Sequence, residues 1–273
     1  MQKVDVLSPR IVRKLLKKYK IKPRKKLGQN FIVSRRYAEI IVSSLMLKPS
    51  DKVYEIGAGL GGLTLTAARH AAFIIAVEID PYLSKALKDI SVDYYNVQVV
   101  NADALHLGVP SLVNKVLSNV PYSISSKLLI MIAKSQTYEL CVLTLQREFV
   151  ERLLAKPGTR EYGRLTVIVN LLCDIERIAD IPRQAFYPTP DVDSAVIRLR
   201  PAPKVSLITL EKVEELSRRI FSYRRKLVGR ALKIAGIYPR GAVPSEIKEL
   251  LFKRVYELTL EELVLLAEYL FDF

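Results

Sequence analysis

Lys-Val-Tyr-Glu-Ile-Gly-Ala-Gly-Leu-Gly-Gly, residues 52–62, decides the fold, because the pattern there changes from a short apolar strand to a glycine turn and then to a helix. Gly57, Gly59 and Gly62 form a G-x-G-x-x-G spacing. Glycine lacks a Cβ, so the backbone can turn tightly and a ligand can lie against exposed N–H groups at the helix N-terminus. The spacing alone also fits an ordinary strand-to-helix turn, and among nucleotides it first suggests a nicotinamide cofactor.

Acidic residues after three predicted strands narrow the choice of ligand. Glu55 directly precedes the glycines, where it would repel a pyrophosphate but can help to position a cationic amino-acid group. Glu78 ends the next strand and can accept both hydroxyls of a ribose. Asp103 follows a third strand, where it can accept a hydrogen bond from an adenine amino group. An acid repeated after three strands favours S-adenosylmethionine over NAD.

Strands and helices alternate from Lys52 to about Gln146, which is the pattern of a parallel sheet covered by helices on both faces. The predicted strands lie near 52–56, 73–78, 97–100, 115–118 and 140–146, and the predicted helices near 35–47, 62–70, 81–90 and 123–134. Ligands in such sheets bind at the carboxyl ends of the strands. Glu55, Glu78, Asp103 and Asn119 all fall at such ends, so we expect them to share one site.

Further motifs follow one another along the chain. They are Leu-Gly-Gln-Asn-Phe at 27–31, Asn-Val-Pro-Tyr at 119–122, Gln-Ala-Phe-Tyr-Pro-Thr-Pro-Asp-Val-Asp-Ser-Ala-Val at 184–196 and Phe-Ser-Tyr-Arg-Arg-Lys at 221–226. With the glycine loop, they resemble the small-subunit ribosomal RNA adenine dimethyltransferases of the KsgA type, in particular an archaeal-like member. The resemblance begins at about residue 22. It implies an α/β, class I S-adenosylmethionine-dependent methyltransferase fold, which is Rossmann-like with a seven-stranded, mostly parallel sheet, and a small C-terminal all-helical domain.

The same resemblance implies dimethylation of two adjacent adenines near the 3′ end of small-subunit ribosomal RNA, with a partly assembled small subunit (a pre-small-subunit particle) as the partner. It implies that Asn30 and the backbone near Ile32 contact the cofactor. It also implies that Phe186 forms the wall of the base pocket that faces Tyr122, the alternative being a core aromatic at a strand edge. Asp191 departs from the family, which commonly has lysine there, and leaves an RNA contact at this position open.

Asn119-Val120-Pro121-Tyr122 carries the predicted chemistry. The adenine amino group is a poor nucleophile because its lone pair is delocalised into the ring. The side-chain oxygen of Asn119 and the carbonyl of Pro121 can accept its two hydrogens, while Tyr122 stacks on the base. Proximity and orientation then supply most of the acceleration, without a metal or a strong base. The alternative is an Asn-x-Pro turn that ends a strand.

The predicted catalytic residues are therefore Asn119, Pro121, Tyr122 and Phe186, and the predicted cofactor-binding residues are Asn30, Ile32, Glu55, Gly57, Gly59, Glu78, Asp103 and Asn119.

The composition supports a polyanionic partner, because the 273 residues carry a formal net charge of +15. Two cysteines in apolar runs predict neither a disulfide nor a zinc site. Without an apolar run of membrane-spanning length or a secretion signal, we expect a cytoplasmic protein, and a monomer.

Three segments are predicted. Residues 1–26 form a basic N-terminal arm that contacts RNA, with a short amphipathic helix indicated by the spacing of Ile11, Leu15, Leu16 and Tyr19. Residues 27–202 form the methyltransferase domain, and residues 203–273 form a helical RNA-binding domain.

Three alternative functions stay open: a large-subunit ribosomal RNA adenine methyltransferase, a non-catalytic ribosome-assembly factor that binds RNA, and a nicotinamide oxidoreductase.

Overall fold

A computed structural model describes residues 4–24, 28–238 and 242–271. The chain forms two compact units. The first comprises Met1–Val150 and Ile175–Pro201, and the second comprises Glu151–Asp174 and Ala202–Phe273. Each unit has its own architecture and is described by itself.

A seven-stranded sheet forms the centre of the first unit. Its strands are β2 (Lys52–Ile56), β3 (Phe73–Glu78), β4 (Val97–Asn101), β5 (Lys115–Asn119), β6 (Leu140–Gln146), β7 (Cys173–Ile181) and β9 (Ser194–Pro201), in the spatial order β4-β3-β2-β5-β6-β9-β7. The pairs β2–β3, β2–β5, β3–β4 and β5–β6 are parallel, and β9 runs antiparallel to β6. The prediction of a seven-stranded, mostly parallel sheet is confirmed. A separate short ladder pairs β1 (Phe31–Ile32) with β8 (Phe186–Tyr187).

Helices cover this sheet and position the loops at its carboxyl edge. They are α1 (Pro9–Lys18), α2 (Arg35–Ser43), α3 (Thr64–Ala67), α4 (Pro81–Ile90), α5 (Ala104–Leu107), α6 (Ser125–Ser135) and α7 (Arg147–Leu153). The start of α4 has a local cause: Pro81 has a fixed φ suited to a first turn, and the Asp80 carboxylate accepts the N–H groups of Tyr82 and Leu83. Apolar residues of the inner strands, such as Val53 and Val142, are fully buried and form the core.

The N-terminal segment is a packed part of the first unit. Val12, Leu15 and Leu16 on one face of α1 are buried in a cluster that also contains Phe31, Leu60, Leu65, Leu83 and Ala86. The opposite face exposes the basic residues Arg10, Arg13, Lys14, Lys17 and Lys18. The predicted amphipathic helix is present, but its apolar face binds it to the glycine loop and α4, so the segment is not a free arm. Lys25 and Lys26 lie outside the described residues.

The second unit is helical. It contains α8 (Arg164–Leu172), α9 (Leu207–Ile220), α10 (Val228–Ile234), α11 (Ser245–Leu251) and α12 (Leu260–Phe271). Residues 151–174 differ from the prediction, which assigned them to the methyltransferase domain. The apolar helix α8 packs against α9 and therefore belongs with the C-terminal helices. Across the parts of the chain that the structure describes, no helix has the length and apolar character needed to cross a membrane.

Candidate active site

Two adjoining pockets lie at the carboxyl ends of β2, β3 and β5. The larger is lined, among others, by Asn30, Gly57, Gly59, Glu78, Asp103, Asn119 and Pro121. The smaller shares Asn30, Gly57, Gly59 and Asn119 with it and adds Ile32 and Glu55. The structure thus brings all of the predicted cofactor-binding residues to one place. In a parallel sheet this follows from topology, because the carboxyl ends of neighbouring strands meet at one edge.

The glycine loop has the backbone that the spacing predicts. Gly57 and Gly59 have φ values of 74° and 58°, in the left-handed region that favours glycine. A Cβ at Gly59 would also lie 3.1 Å from the ring of Phe31. The loop N–H of Gly59 points into the site, where it donates a hydrogen bond of 2.8 Å to Oε2 of Glu78.

Glu78 is a buried carboxylate held by the backbone. Besides the bond from Gly59, its Oε1 accepts the N–H of Asp80 at 2.9 Å. Burial raises the pKa of Glu78, and these two backbone donors oppose that increase. The carboxylate therefore has a fixed orientation toward the larger pocket, as recognition of a ribose by both oxygens requires.

Glu55 is buried without a hydrogen-bond donor on one of its oxygens. The residue is only 2% exposed, and its Oε2 has no partner among the described residues. Burial raises the pKa of Glu55 to about 8; hydrogen bonding from Thr64 opposes this increase, and the nearby charge of Glu78 adds to it. A buried acceptor without a donor costs free energy until a ligand supplies one. A cationic amino group would satisfy this oxygen and favour the ionised form of the carboxyl group.

Asp103 is fixed by its role as the N-cap of α5. Its Oδ1 accepts the N–H of Leu105 at 2.9 Å, and its Oδ2 lies 3.5 Å from Nδ1 of His106. The side chain lines the larger pocket, as the prediction requires. Among the described residues, no group of three or more His, Cys, Asp or Glu side chains is arranged to hold a metal ion.

The side chain of Asn119 is oriented by a segment that is distant in sequence. Its Nδ2 donates to the backbone carbonyl of Asn30 at 2.8 Å. This bond leaves Oδ1 as the group that can accept a hydrogen bond from a substrate. The carbonyl of Pro121 accepts the N–H of Ile124 at 3.1 Å and lies 3.5 Å from the hydroxyl of Ser125. That hydroxyl has a nearer acceptor in the carbonyl of Tyr122 at 3.2 Å, so a substrate hydrogen can take its place on Pro121.

Gly28 brings the Asn30 segment against this loop. It has a φ of 60°, and a Cβ there would lie 2.9 Å from both Cα of Pro121 and the backbone N of Tyr122. Sequence analysis did not single out Gly28, although it belongs to the 27–31 motif. The contact could not be found from the sequence because 93 positions separate Gly28 from Pro121.

The two aromatic residues predicted to enclose the base occupy different environments. Tyr122 is half-buried at the edge of the loop, and its Oη lies 3.0 Å from Oγ of Ser194, another residue that sequence analysis did not select. Phe186 is 2% exposed in the main core cluster. Neither ring lines the two pockets, although Pro121 and Ser123 on either side of Tyr122 line the larger one. The backbone of Phe186 pairs with Ile32 between β8 and β1. This placement corresponds to the alternative stated above, a core aromatic at a strand edge.

A mostly parallel seven-stranded sheet with antiparallel β9 and a glycine loop facing three strand-end carboxylates defines a class I methyltransferase. S-adenosylmethionine is the cofactor of this class. The donor set fits it, because the unpartnered Oε2 of Glu55 suits an ammonium group and the backbone-held Glu78 suits a ribose.

The comparisons define the family more narrowly. The family model "Ribosomal RNA adenine dimethylase" matches residues 20–269. A probable ribosomal RNA small subunit methyltransferase A from Pyrococcus furiosus is 38% identical over 264 residues, which cover 93% of this chain and 94% of the relative. A relative of the same description from Methanopyrus kandleri is 42% identical over 226 residues, covering 81% of this chain and 80% of the relative. The chain therefore belongs to the ribosomal RNA adenine dimethylase family, whose members transfer methyl groups from S-adenosylmethionine to adenine.

Solved structures agree with this assignment. A dimethyladenosine transferase from Plasmodium falciparum superposes with a TM-score of 0.75 at 27% identity, covering 86% of this chain and 95% of that one. The 23S rRNA methyltransferase ErmE superposes with a TM-score of 0.68 at 29% identity, covering 88% of this chain and 99% of that one. The fold is thus shared by enzymes described as acting on different RNAs.

Proposed function

We propose that this protein dimethylates the exocyclic amino groups of two adjacent adenines near the 3′ end of small-subunit ribosomal RNA, in a partly assembled small subunit. The observation that carries the proposal is the oriented amide of Asn119, whose Oδ1 is left to accept a hydrogen bond at the edge of the cofactor pocket. The names of the curated relatives support the small subunit over the large one. We propose that the protein acts as a cytoplasmic monomer.

The two pockets hold the cofactor through residues that the backbone has already fixed. S-adenosylmethionine supplies the electrophilic methyl group when bound. Glu55 pairs with a cationic amino group, Glu78 accepts hydrogen bonds from ribose hydroxyls, and Asp103 accepts one from an adenine amino group. Gly57 and Gly59 let the backbone approach the ligand without a Cβ in the way.

Asn119, Pro121 and Tyr122 act on the target adenine. Oδ1 of Asn119 and the carbonyl of Pro121 accept hydrogen bonds from the two amino hydrogens, the second in place of the Ser125 hydroxyl. Their pull directs the nitrogen lone pair out of the ring plane and toward the cofactor side of the site. The ring of Tyr122 stacks on the unstacked base and holds its plane. Orientation of the amino group supplies most of the acceleration, so no strong base is needed.

RNA binds through basic surfaces on each unit. In the first unit the exposed face of α1 presents Arg10, Arg13, Lys14, Lys17 and Lys18 on a packed helix. In the second unit a concave surface is lined by Arg160, Arg224, Arg225 and Arg254 together with Tyr256. Such cations neutralise phosphates without reading base sequence, which suits a substrate recognised by shape.

The test is transfer of labelled methyl to purified unmethylated small subunits, large subunits and a DNA duplex, followed by nucleoside analysis. The wild type is expected to give dimethyladenosine on small subunits alone. Asn119→Ala is expected to lower the rate by roughly 10²- to 10³-fold while RNA binding is kept, because a single preorganised polar contact in an active site has about this value. Asn114→Ala is the matched control, since this amide lies at the opposite end of β5 and binds Asp51 instead.

Each of the other outcomes would assign a different function to this protein. Label on large subunits would mean that the reaction is assigned correctly but that the substrate is the large subunit. Binding of small subunits without any methyl transfer would identify a non-catalytic assembly factor. An Asn119→Ala variant that abolishes methylation yet still meets the cell's need for the protein would make RNA binding the primary role.

A further inference from the structure

A hydrogen bond joins the predicted stacking residue to a strand on the far side of β6. The hydroxyl of Tyr122 lies 3.0 Å from Oγ of Ser194, although 72 positions separate the two residues. Ser194 is fully buried, at the first position of β9. A buried hydroxyl costs free energy unless it is hydrogen-bonded, so the partner of Ser194 must offset that cost.

Tyr122 needs an external restraint. It begins a 3₁₀ turn of only three residues, Tyr122–Ile124, in which no residue is buried. So short a turn does not by itself fix the side-chain torsions of Tyr122. A hydrogen bond at the far end of the ring fixes the direction of the ring axis, because the hydroxyl oxygen lies on that axis. The bond to Ser194 therefore restrains the Tyr122 side chain, which the short turn around it does not.

Ser194 is itself held firmly in position. It pairs with Gln146 across the antiparallel β6–β9 ladder. The preceding residue, Asp193, accepts the backbone N–H of Arg183 at 3.0 Å and forms an ion pair with Arg147 at 3.3 Å. Through these contacts the strand end that carries Ser194 cannot shift easily. Burial raises the pKa of Tyr122, the hydrogen bond with Ser194 lowers it, and the charge of Asp193 raises it.

We propose that Ser194 is a positioning residue for methyl transfer, which holds the Tyr122 hydroxyl and so fixes the direction in which the Tyr122 ring extends toward the target adenine. The inference rests on the proposed function, because it requires Tyr122 to contact the base. Ser194 itself lines neither pocket.

The second methyl transfer depends on this restraint more than the first. An unmethylated amino group has two hydrogens, one for Asn119 and one for Pro121. A monomethylated amino group has only one, so it loses one of the contacts that set its orientation. Stacking on a fixed Tyr122 ring then carries a larger share of the alignment. Loss of the bond should therefore release monomethyladenosine, a product that a simple loss of stability would not enrich.

The experiment compares Ser194→Ala, Tyr122→Phe and the double variant in single-turnover methylation of unmethylated small subunits. Each single variant removes the same bond, and we expect rates about 3- to 10-fold lower, the usual effect of one hydrogen bond. The double variant is expected to be no slower than either single variant, because the two changes share one interaction. The ratio of monomethyladenosine to dimethyladenosine should rise in all three, with unchanged binding of the small subunit.

Ser44→Ala is the matched control. Its buried hydroxyl bonds only to the carbonyl of Ile40 within α2, and its removal should leave rate and product ratio at wild-type values. If Ser194→Ala does not fold, Tyr122→Phe tests the same bond from the other side. Additive effects in the double variant, or lowered thermal stability with an unchanged product ratio, would overturn the proposal. Full activity of Tyr122→Ala would instead refute the stacking role on which the proposed function relies.

Discussion

Two side chains of this site are oriented by hydrogen bonds with positions that are distant in sequence. The amide of Asn119 is oriented by the carbonyl of Asn30, and the carboxylate of Glu78 by the N–H of Gly59 as well as by that of its near neighbour Asp80. Glu55 is the exception, because one of its buried oxygens has no described donor. Such a group makes the protein without ligand less stable than its packing alone would allow, and it makes stability depend on pH.

For Glu55 the direction of the pH effect follows from its raised pKa. The folded value is about 8 against 4.5 for the free group, so the native state binds this proton more tightly than the unfolded state. The stabilisation of the folded state by this bound proton is fully present below pH 4.5 and is lost as pH rises through about 8. Thermal unfolding from pH 5 to 8, without cofactor, should show wild-type stability falling by at most about 1.4 kcal/mol per pH unit from this group. Glu55→Gln should flatten the slope, and the exposed Glu39→Gln should keep it; equal slopes in Glu55→Gln and wild type would contradict the assignment.

Gly28 tests the contact between two loops. Gly28→Ala adds a Cβ 2.9 Å from the backbone of Pro121 and Tyr122, so we expect the loop to shift and the methyl-transfer rate to fall by 10-fold or more, as about 1 Å of misplacement can cost roughly 10²-fold. Gly108→Ala is the control, since Gly108 also has a positive φ but no atom within 4 Å of its added Cβ. The Gly108→Ala variant therefore introduces the backbone strain of a positive φ without a steric clash. Similar losses of rate in both variants would show that strain alone is responsible.

At the scale of elements, α1 is the clearest case of tertiary structure changing an expectation. The sequence shows ten residues with basic and apolar positions mixed, which fits either a solvated arm or a docked amphipathic helix. Its apolar face is covered by residues from the glycine loop and α4, so docking decides the outcome. The basic face is thereby held still, and phosphates can bind it without first ordering the chain.

The packing of α1 predicts a stability effect that a free arm would not show. Leu16→Ala removes a buried side chain and should lower the free energy of unfolding by about 2–5 kcal/mol. Lys17→Ala, on the exposed face, should stay within about 0.5 kcal/mol of wild type. Chemical denaturation of both variants measures the difference. A wild-type midpoint for Leu16→Ala would mean that α1 does not dock in solution.

At the scale of the whole molecule, the main electrostatic feature is the excess of basic over acidic residues. A net charge of +15 gives a strong positive field, while the cofactor pocket keeps its acids buried or engaged. Affinity for RNA and affinity for cofactor should therefore respond differently to salt. RNA binding releases counterions in proportion to the phosphates contacted, whereas a small ligand that is nearly neutral overall releases few.

Binding of small subunits across a salt series checks this. We expect RNA affinity to fall steeply with salt and cofactor affinity to change little. The variant Lys14→Ala/Lys17→Ala should reduce the slope of log affinity against log salt by roughly 1.5, at about 0.7–0.9 per lost phosphate contact. Lys48→Ala/Lys52→Ala is the control, because these exposed lysines lie at the amino end of β2, away from the site. Equal slopes for RNA and cofactor would contradict the assignment of α1 to RNA.

Most of the sheet could be predicted from the sequence. The strands at 73–78 and 140–146 and the helix at 81–90 have the predicted bounds, because apolar runs, prolines and caps are local signals. Helices α5, α7 and α8 were not predicted, since α5 spans four residues and α8 is an almost continuous apolar run without the periodicity of a surface helix. The helical character of residues 203–273 was predicted, and the structure places α9 to α12 there.

The sequence by itself predicted that Glu55, Glu78, Asp103 and Asn119 would meet at one place, because the carboxyl ends of neighbouring strands share one edge of any parallel sheet. Only the tertiary structure decided how those residues are held. The bonds from Asn119 to Asn30 and from Tyr122 to Ser194 join positions 89 and 72 residues apart. The burial of Phe186 and the docking of α1 were likewise decided by packing. Local patterns carry no information on such pairings, since they depend on which surfaces the folded chain brings together.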